Sequence, residues 1–175
     1  MSSSDGRAPR RHRRGAAVLL LAAATLLGGC GFHLRGETRY AFDTAMLGIP
    51  PTHPLANELR RALEGTGTVR LVAAAEKPQV TLDIYAVKDD KEILSLSAGG
   101  KVREFLLTKR LTFRVVEPDG VEWLPLTDII VRRTYTYNDT ETLAKEIQEQ
   151  RLFKEMQTDA VQQLLRRLQA VRRPA

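Results

Sequence analysis

The chain has 175 residues, with 27 Lys and Arg against 21 Asp and Glu, for a formal charge of +6. The first 29 residues hold five arginines and one aspartate, +4 of that excess, which leaves +2 for the remainder, where no basic run with interleaved aromatics survives. That balance argues against nucleic acid as a partner, and a single cysteine, Cys30, excludes an internal disulfide.

The first element in chain order is a leader. Arg7, Arg10, Arg11, Arg13 and Arg14 precede an apolar run from Ala16 to Leu27, which ends in Gly28-Gly29-Cys30. A basic segment, an apolar segment and small residues before a junction form a secretory signal. The run is much shorter than the roughly 20 residues a membrane-spanning helix needs. Leu-Gly-Gly-Cys is also the bacterial lipobox, in which the cysteine sulfur takes a diacylglyceryl group and the residue becomes the N-acylated first position. The glycines leave the backbone open to a peptidase. Residues 1–29 are therefore predicted to be a lipoprotein signal peptide, and residues 30–175 a single domain anchored through Cys30. Gly31 follows the cysteine where an aspartate would direct inner-membrane retention, so outer-membrane sorting is expected.

Residues 40–49 read as an extended segment stopped by Pro50-Pro51. Pro54 sits in a helix first turn, Leu55, Leu59 and Leu63 form its apolar stripe, and Gly65 ends it. Residues 68–72 suit a short strand. Val80, Leu82, Ile84 and Ala86 alternate with polar residues, as a half-buried strand does. Residues 88–92, Lys-Asp-Asp-Lys-Glu, read as a charged loop or strand break with a solvated surface. Ile93, Leu94 and Leu96 then lead to a Ser97–Gly100 hairpin turn.

The next strand puts Phe105, Leu107, Leu111, Phe113 and Val115 on one face and Glu104, Thr108, Arg110, Thr112 and Arg114 on the other. Pro118-Asp119-Gly120 turns the chain into a strand from Trp123 to Tyr137, with a bulge or break expected between Pro125 and Asp128. Asn138, Asp139 and Thr140 are candidate caps for a helix from about Thr142 to Ala170. Its apolar stripe is Leu143, Ile147, Phe153, Met156, Ala160, Leu164 and Leu168, with Lys145, Glu149, Gln157 and Arg166 off it.

These elements predict an α+β domain with two helices packed on one face of a single, mostly antiparallel, roughly four-stranded sheet. The other face stays open and carries Arg110, Arg114, Arg132 and threonines. That face is either a solvated antiparallel surface or a surface for a phosphorylated glycolipid, to which arginine offers a bidentate fork.

Catalytic chemistry finds no foothold. His33 and His53 are the histidines beyond the leader, and neither has metal-ligand spacing. There is no nucleophile elbow and no phosphate-cradling glycine loop. No catalytic residue, no metal and no cofactor other than the covalent lipid on Cys30 is expected.

Several motifs stand in a familiar order. Cys30-Gly31-Phe32-His33-Leu34-Arg35-Gly36 opens the mature chain, and a Pro-Leu-Ala-Asn-Glu-Leu-Arg-Arg-Ala-Leu helix starts at Pro54. A long hairpin comes next, then Leu143-Ala144-Lys145 and Phe153-Lys154-Glu155-Met156 in the last helix. Together they resemble the LptE family of Gram-negative lipopolysaccharide-assembly lipoproteins over nearly the whole mature chain. The resemblance implies a non-catalytic, periplasm-facing lipoprotein of the outer membrane. It would partly plug the lumen of the LptD β-barrel and bind lipopolysaccharide for insertion into the outer leaflet. It also implies that Lys145 contacts the glycolipid. The family's second basic position, near the hairpin turn, is Ala98 here, and Lys101 or Arg103 stands in for it. The rival reading is a periplasm-facing lipoprotein of unrelated role, a small-ligand carrier or a cell-envelope adaptor.

Overall fold

A computed structural model of the chain describes residues 39–137 and 142–174, all within the compact unit Glu37–Ala175. The leader, Cys30, His33 and the cap candidates at residues 138–140 lie outside the described residues.

The chain runs through β1 (Thr44–Gly48), helix α1 (Pro54–Glu64) and β2 (Arg70–Leu71), then a 3-10 turn at Ala74–Glu76. Three long strands follow, β3 (Val80–Leu96), β4 (Val102–Val116) and β5 (Glu122–Thr136), and then helix α2 (Thr142–Ala170). The sheet has five strands in the order β2-β1-β3-β4-β5. The expected count of roughly four falls short because the two-residue β2 adds a strand, pairing parallel to β1. β1 is also parallel to β3, whereas β3, β4 and β5 form an antiparallel meander.

Local chemistry explains the first helix. His53 is extended, and its Nδ1 accepts a hydrogen bond from the Leu55 amide at 3.1 Å. Pro54 occupies a first-turn position where its missing N–H costs nothing. Leu55, Ala56, Leu59 and Leu63 are buried. Both hairpin turns use the same device. The Gly100 amide donates to the Ser97 carbonyl and the Gly120 amide to the Glu117 carbonyl, with φ of +76° and +95° at the two glycines. Only glycine adopts that conformation at little cost.

β3 is continuous over 17 residues, and no break occurs at residues 88–92. The charged stretch is held by its partner, since Lys88 through Glu92 pair in register with Arg110 through Leu106. β1 covers only Val80–Asp83, so the rest of β3 is an edge. A row of charges along such an edge discourages pairing with a foreign strand. The bulge in β5 occurs where expected: Phe113 pairs with Thr127 and Val115 with Leu124, which leaves extra residues on β5.

Both helices pack on the same face of the sheet. Leu59 and Leu63 of α1 and Met156, Leu164 and Leu168 of α2 join Leu107, Leu111, Phe113, Val115 and Ile129 in one core. The stripe expected for α2 fails at Ile147, which is 62% exposed. Counting back from Leu168 through Leu164, Ala160, Met156 and Phe153, the sheet-facing position in that turn is Glu149, whose carboxylate touches β3 and β5. The period of 3.6 carries the stripe through Glu149 and Lys145.

Candidate functional site

The sheet face away from the helices carries Arg110, Arg114 and Arg132, as expected, but does not gather them. Arg110 Nη1 is 2.5 Å from Asp128 Oδ2, and Thr112 donates to the other oxygen at 2.6 Å. The Thr112 hydroxyl and then the Arg110 guanidinium hold the Asp128 carboxyl below its ordinary range. Arg114 donates from Nε to Asp83 at 3.1 Å, reaches Glu122 at 3.4 Å and lies 5.2 Å from the Tyr85 ring centroid. Its own pKa is raised, first by the Asp83 bond. Arg132, across from Thr108, is exposed and has no ion-pair partner among the described residues. Two of the three arginines on this face are therefore satisfied by acids of the same face.

The opposite arrangement holds at the turn end of the β3-β4 hairpin. Ile93, Leu94 and Leu96 are 58%, 49% and 55% exposed, and the exposed Ile147 stands on the first turns of α2. Solvent-facing aliphatics in such number mark a contact surface. Lys101 and Arg103 come just after the turn, and Arg103 accepts the Tyr137 amide at its carbonyl. Behind them Phe105 stacks on Tyr135 at 5.6 Å and meets Tyr137 edge-on at 5.3 Å.

Lys91 and Glu149 fasten the helix to this end. Lys91 Nζ is 2.5 Å from Glu149 Oε2 and 4.2 Å from the Phe105 ring centroid, and the Tyr135 hydroxyl donates to Glu149 at 2.6 Å. Partial burial alone would raise the Glu149 pKa. The Lys91 and Tyr135 bonds outweigh it and hold the carboxyl below its usual value. Burial, then the bond to Glu149, raises Tyr135. Lys145 lies one turn before Glu149 and donates to Gln148 at 3.2 Å, an easily surrendered bond. It therefore stands about 6 Å further along the helix axis, toward the hairpin turn. Lys145, Lys101 and Arg103 thus share the turn end with the exposed aliphatics, whereas Arg110, Arg114 and Arg132 lie on the other face.

Lys109 was missed in the sequence. It occupies a core-facing position of β4 and is 4% exposed, 2.5 Å from Asp89. The signal was available: it breaks the apolar alternation between Leu107 and Leu111. Among the described residues no cluster of His, Cys, Asp and Glu suits a metal ion, and no helix is long and apolar enough to cross a membrane.

The family model for LptE, lipopolysaccharide-assembly, matches residues 45–168. The LPS-assembly lipoprotein LptE of Photorhabdus laumondii is 34% identical over 166 residues, covering 92% of this chain and 88% of its own. That of Pectobacterium atrosepticum is 32% identical over 162 residues, covering 90% and 86%. Among solved structures, an uncharacterized lipoprotein B from Nitrosomonas europaea has a TM-score of 0.69 at 35% identity, over 80% of this chain and 91% of that one. The rare lipoprotein B from Shewanella oneidensis has a TM-score of 0.65 at 25% identity, over 73% and 95%.

Proposed function

The chain belongs to the LptE family of lipopolysaccharide-assembly proteins, and on that premise we propose that it binds lipopolysaccharide and helps a barrel partner deliver it to the outer leaflet. The observation that carries the reading is the turn end, where Ile93, Leu94 and Leu96 are exposed before the turn, Lys101 and Arg103 follow it, and exposed Ile147 and Lys145 stand on the first turns of α2. A phosphorylated glycolipid offers acyl chains and phosphates side by side, and that surface offers aliphatics and cations side by side. Lysine meets phosphate as a point charge and arginine through its fork.

In this proposal no bond is made or broken. Residues 1–29 are the signal peptide, and residues 30–175 form one domain held to the outer membrane by acyl chains on Cys30, facing the periplasm. Two or more chains anchor far more firmly than one. The opposite sheet face, with its paired Arg110 and Arg114, meets the lumen wall of an LptD-like barrel. A polar surface with its charges already neutralised can enter a narrow water-filled lumen without stranding an unpaired ion. Arg132 and Lys88, which lies across from Arg110, are cations of that face left to pair with the barrel or a phosphate.

Three measurements test this. Depletion of the protein should reduce surface lipopolysaccharide, and affinity purification from membranes should recover one large barrel in stoichiometric amount. A photocrosslinker at Ala98 should capture that barrel. Failure to capture an outer-membrane protein from either Ala98 or Thr112, with surface lipopolysaccharide unchanged on depletion, would return the chain to the class of unrelated periplasm-facing carriers and adaptors.

A further inference from the structure

A cleft of about 560 Å³ opens where α1 and α2 pass over Asp89 and Lys109 of the sheet. It shares no residue with the turn end, so it is a second place on the molecule and uses side chains that the turn-end reading leaves unassigned. Lys109 is the one buried charged residue among those described. Its Nζ is 2.5 Å from Asp89 and 5.7 Å from the Phe153 ring centroid. An ammonium has three donors, and no acceptor besides Asp89 meets this one among the described residues. Lys109 also lines the cleft, so its remaining donors can meet a ligand there.

Two further cations line the same cleft, Arg61 from α1 and Lys154 from α2, and neither has an ion-pair partner among the described residues. Two acids line the cleft as well, so its three cations leave a net charge of +1. Asp89 holds Lys109, and Glu58 accepts bonds from Gln157 and Thr158, each at 2.8 Å, which tie α1 to α2. Phe153 and Pro54 add an apolar wall.

We infer that this cleft binds a small anion, a phosphate carried on a ring-bearing molecule such as a sugar phosphate. The volume suits a compact ligand. Arg61 can take two phosphate oxygens, Lys109 and Lys154 serve as point charges, and Phe153 offers its face to the ring. The phosphate can come from a soluble sugar phosphate or from a glycolipid headgroup.

The test titrates full-length protein in detergent with glucose 1-phosphate, inorganic phosphate and glucose, read by calorimetry. Saturable binding is expected for glucose 1-phosphate, weaker binding for phosphate and none for glucose. Arg61→Gln and Lys154→Gln should each weaken binding roughly tenfold, the effect of one lost charge-assisted contact, with unchanged melting temperatures because both side chains lie at the surface. Lys109→Met, of similar volume, should weaken it at least as much. Repetition with lipopolysaccharide micelles separates the sources: a parallel loss in the same variants assigns the phosphate to a headgroup, and a loss confined to glucose 1-phosphate assigns it to a soluble ligand. Absence of saturable binding to every phosphate-bearing probe, or binding that all three variants leave intact, overturns the inference.

Discussion

Lys91 on β3 and Glu149 on α2, 58 residues apart, meet at 2.5 Å under the Tyr135 hydroxyl. This contact, with Arg133 to Asp159 below it, holds the upper part of the long helix to the sheet where apolar burial has thinned out. Ile147, two residues before Glu149, buries little, so ionic contacts replace hydrophobic ones near the turn end.

That arrangement makes the upper helix pH-sensitive. The folded-state pKa of Glu149 is depressed, with burial opposing and Lys91 and Tyr135 prevailing. Its stabilisation is therefore present above the unfolded carboxyl pKa and lost as pH falls through the folded value. Lys91 is raised; burial would lower it, but Glu149 and Tyr135 prevail. Its share is present below the unfolded lysine pKa and lost as pH rises through the folded one. Both groups are partly exposed, so Glu149→Gln should cost no more than ~1 kcal/mol at neutral pH. The gap to wild type should narrow as pH falls through the folded-state value of Glu149, which lies below the ordinary carboxyl range. A melting series from neutral into acid pH on both proteins checks this, and a gap that does not narrow on acidification would remove the ionised carboxylate as its cause.

The Asp89–Lys109 pair behaves differently because one partner is buried. Asp89→Asn leaves a buried ammonium without its counter-ion and should cost roughly 1–3 kcal/mol, less than a fully dry pair because Asp89 touches solvent. Lys109→Met removes the charge and fills the same volume among Leu107, Leu111 and Phe153, so it should be neutral or stabilising. Urea unfolding of the two variants gives the comparison. If Lys109→Met proved the more damaging, the lysine would be contributing more than a tolerated charge to the fold.

These two pairs also show where the sequence stopped being legible. The α+β class, the helices on one face, both glycine turns and the β5 bulge follow from period, proline and glycine, which act locally. The five charges at residues 88–92 looked like a break because alternation by itself does not reveal a long partner strand; their pairing with Arg110 through Leu106 is non-local. Glu149 sat off the apolar stripe chosen by residue type, since Ile147 attracted the assignment. The geometry of the helix selects Glu149 instead, and tertiary ion pairing compensates. The cations at Lys101, Arg103 and Lys145 were visible as residue types, but their placement beside exposed aliphatics required the hairpin register.

Cys30→Ala should block acylation and cleavage at the leader junction, as the thiol is the acceptor of the diacylglyceryl group in a lipobox. Metabolic labelling with palmitate, combined with gel mobility, reads both steps. The variant should stay unlabelled and migrate as the longer precursor. Label retained in the variant would place the modification elsewhere.

The charge at Lys145 offers the sharpest test of the turn end. Among the described residues Lys145 makes one neutral hydrogen bond, to Gln148, whereas Lys91, on the same side of the sheet, is committed to Glu149. A lysine in the first turns of a helix is unfavourably placed with respect to the helix dipole, by about 0.3–1 kcal/mol at most. Lys145→Glu should therefore leave the melting temperature unchanged or slightly raised. It should nevertheless weaken binding of purified protein to lipopolysaccharide, because an attractive contact with phosphate becomes a repulsive one. The defect should deepen at low salt, where repulsion between exposed charges is least screened. Lys145→Gln should fall between the two, which separates loss of attraction from gain of repulsion. Barrel copurification should be unaffected, since the proposed barrel face carries Arg110 and Arg114 on the far side of the sheet. If Lys145→Glu bound lipopolysaccharide as wild type does at both low and moderate salt, Lys145 would leave the site, and the cations at Lys101 and Arg103 would have to account for phosphate recognition alone.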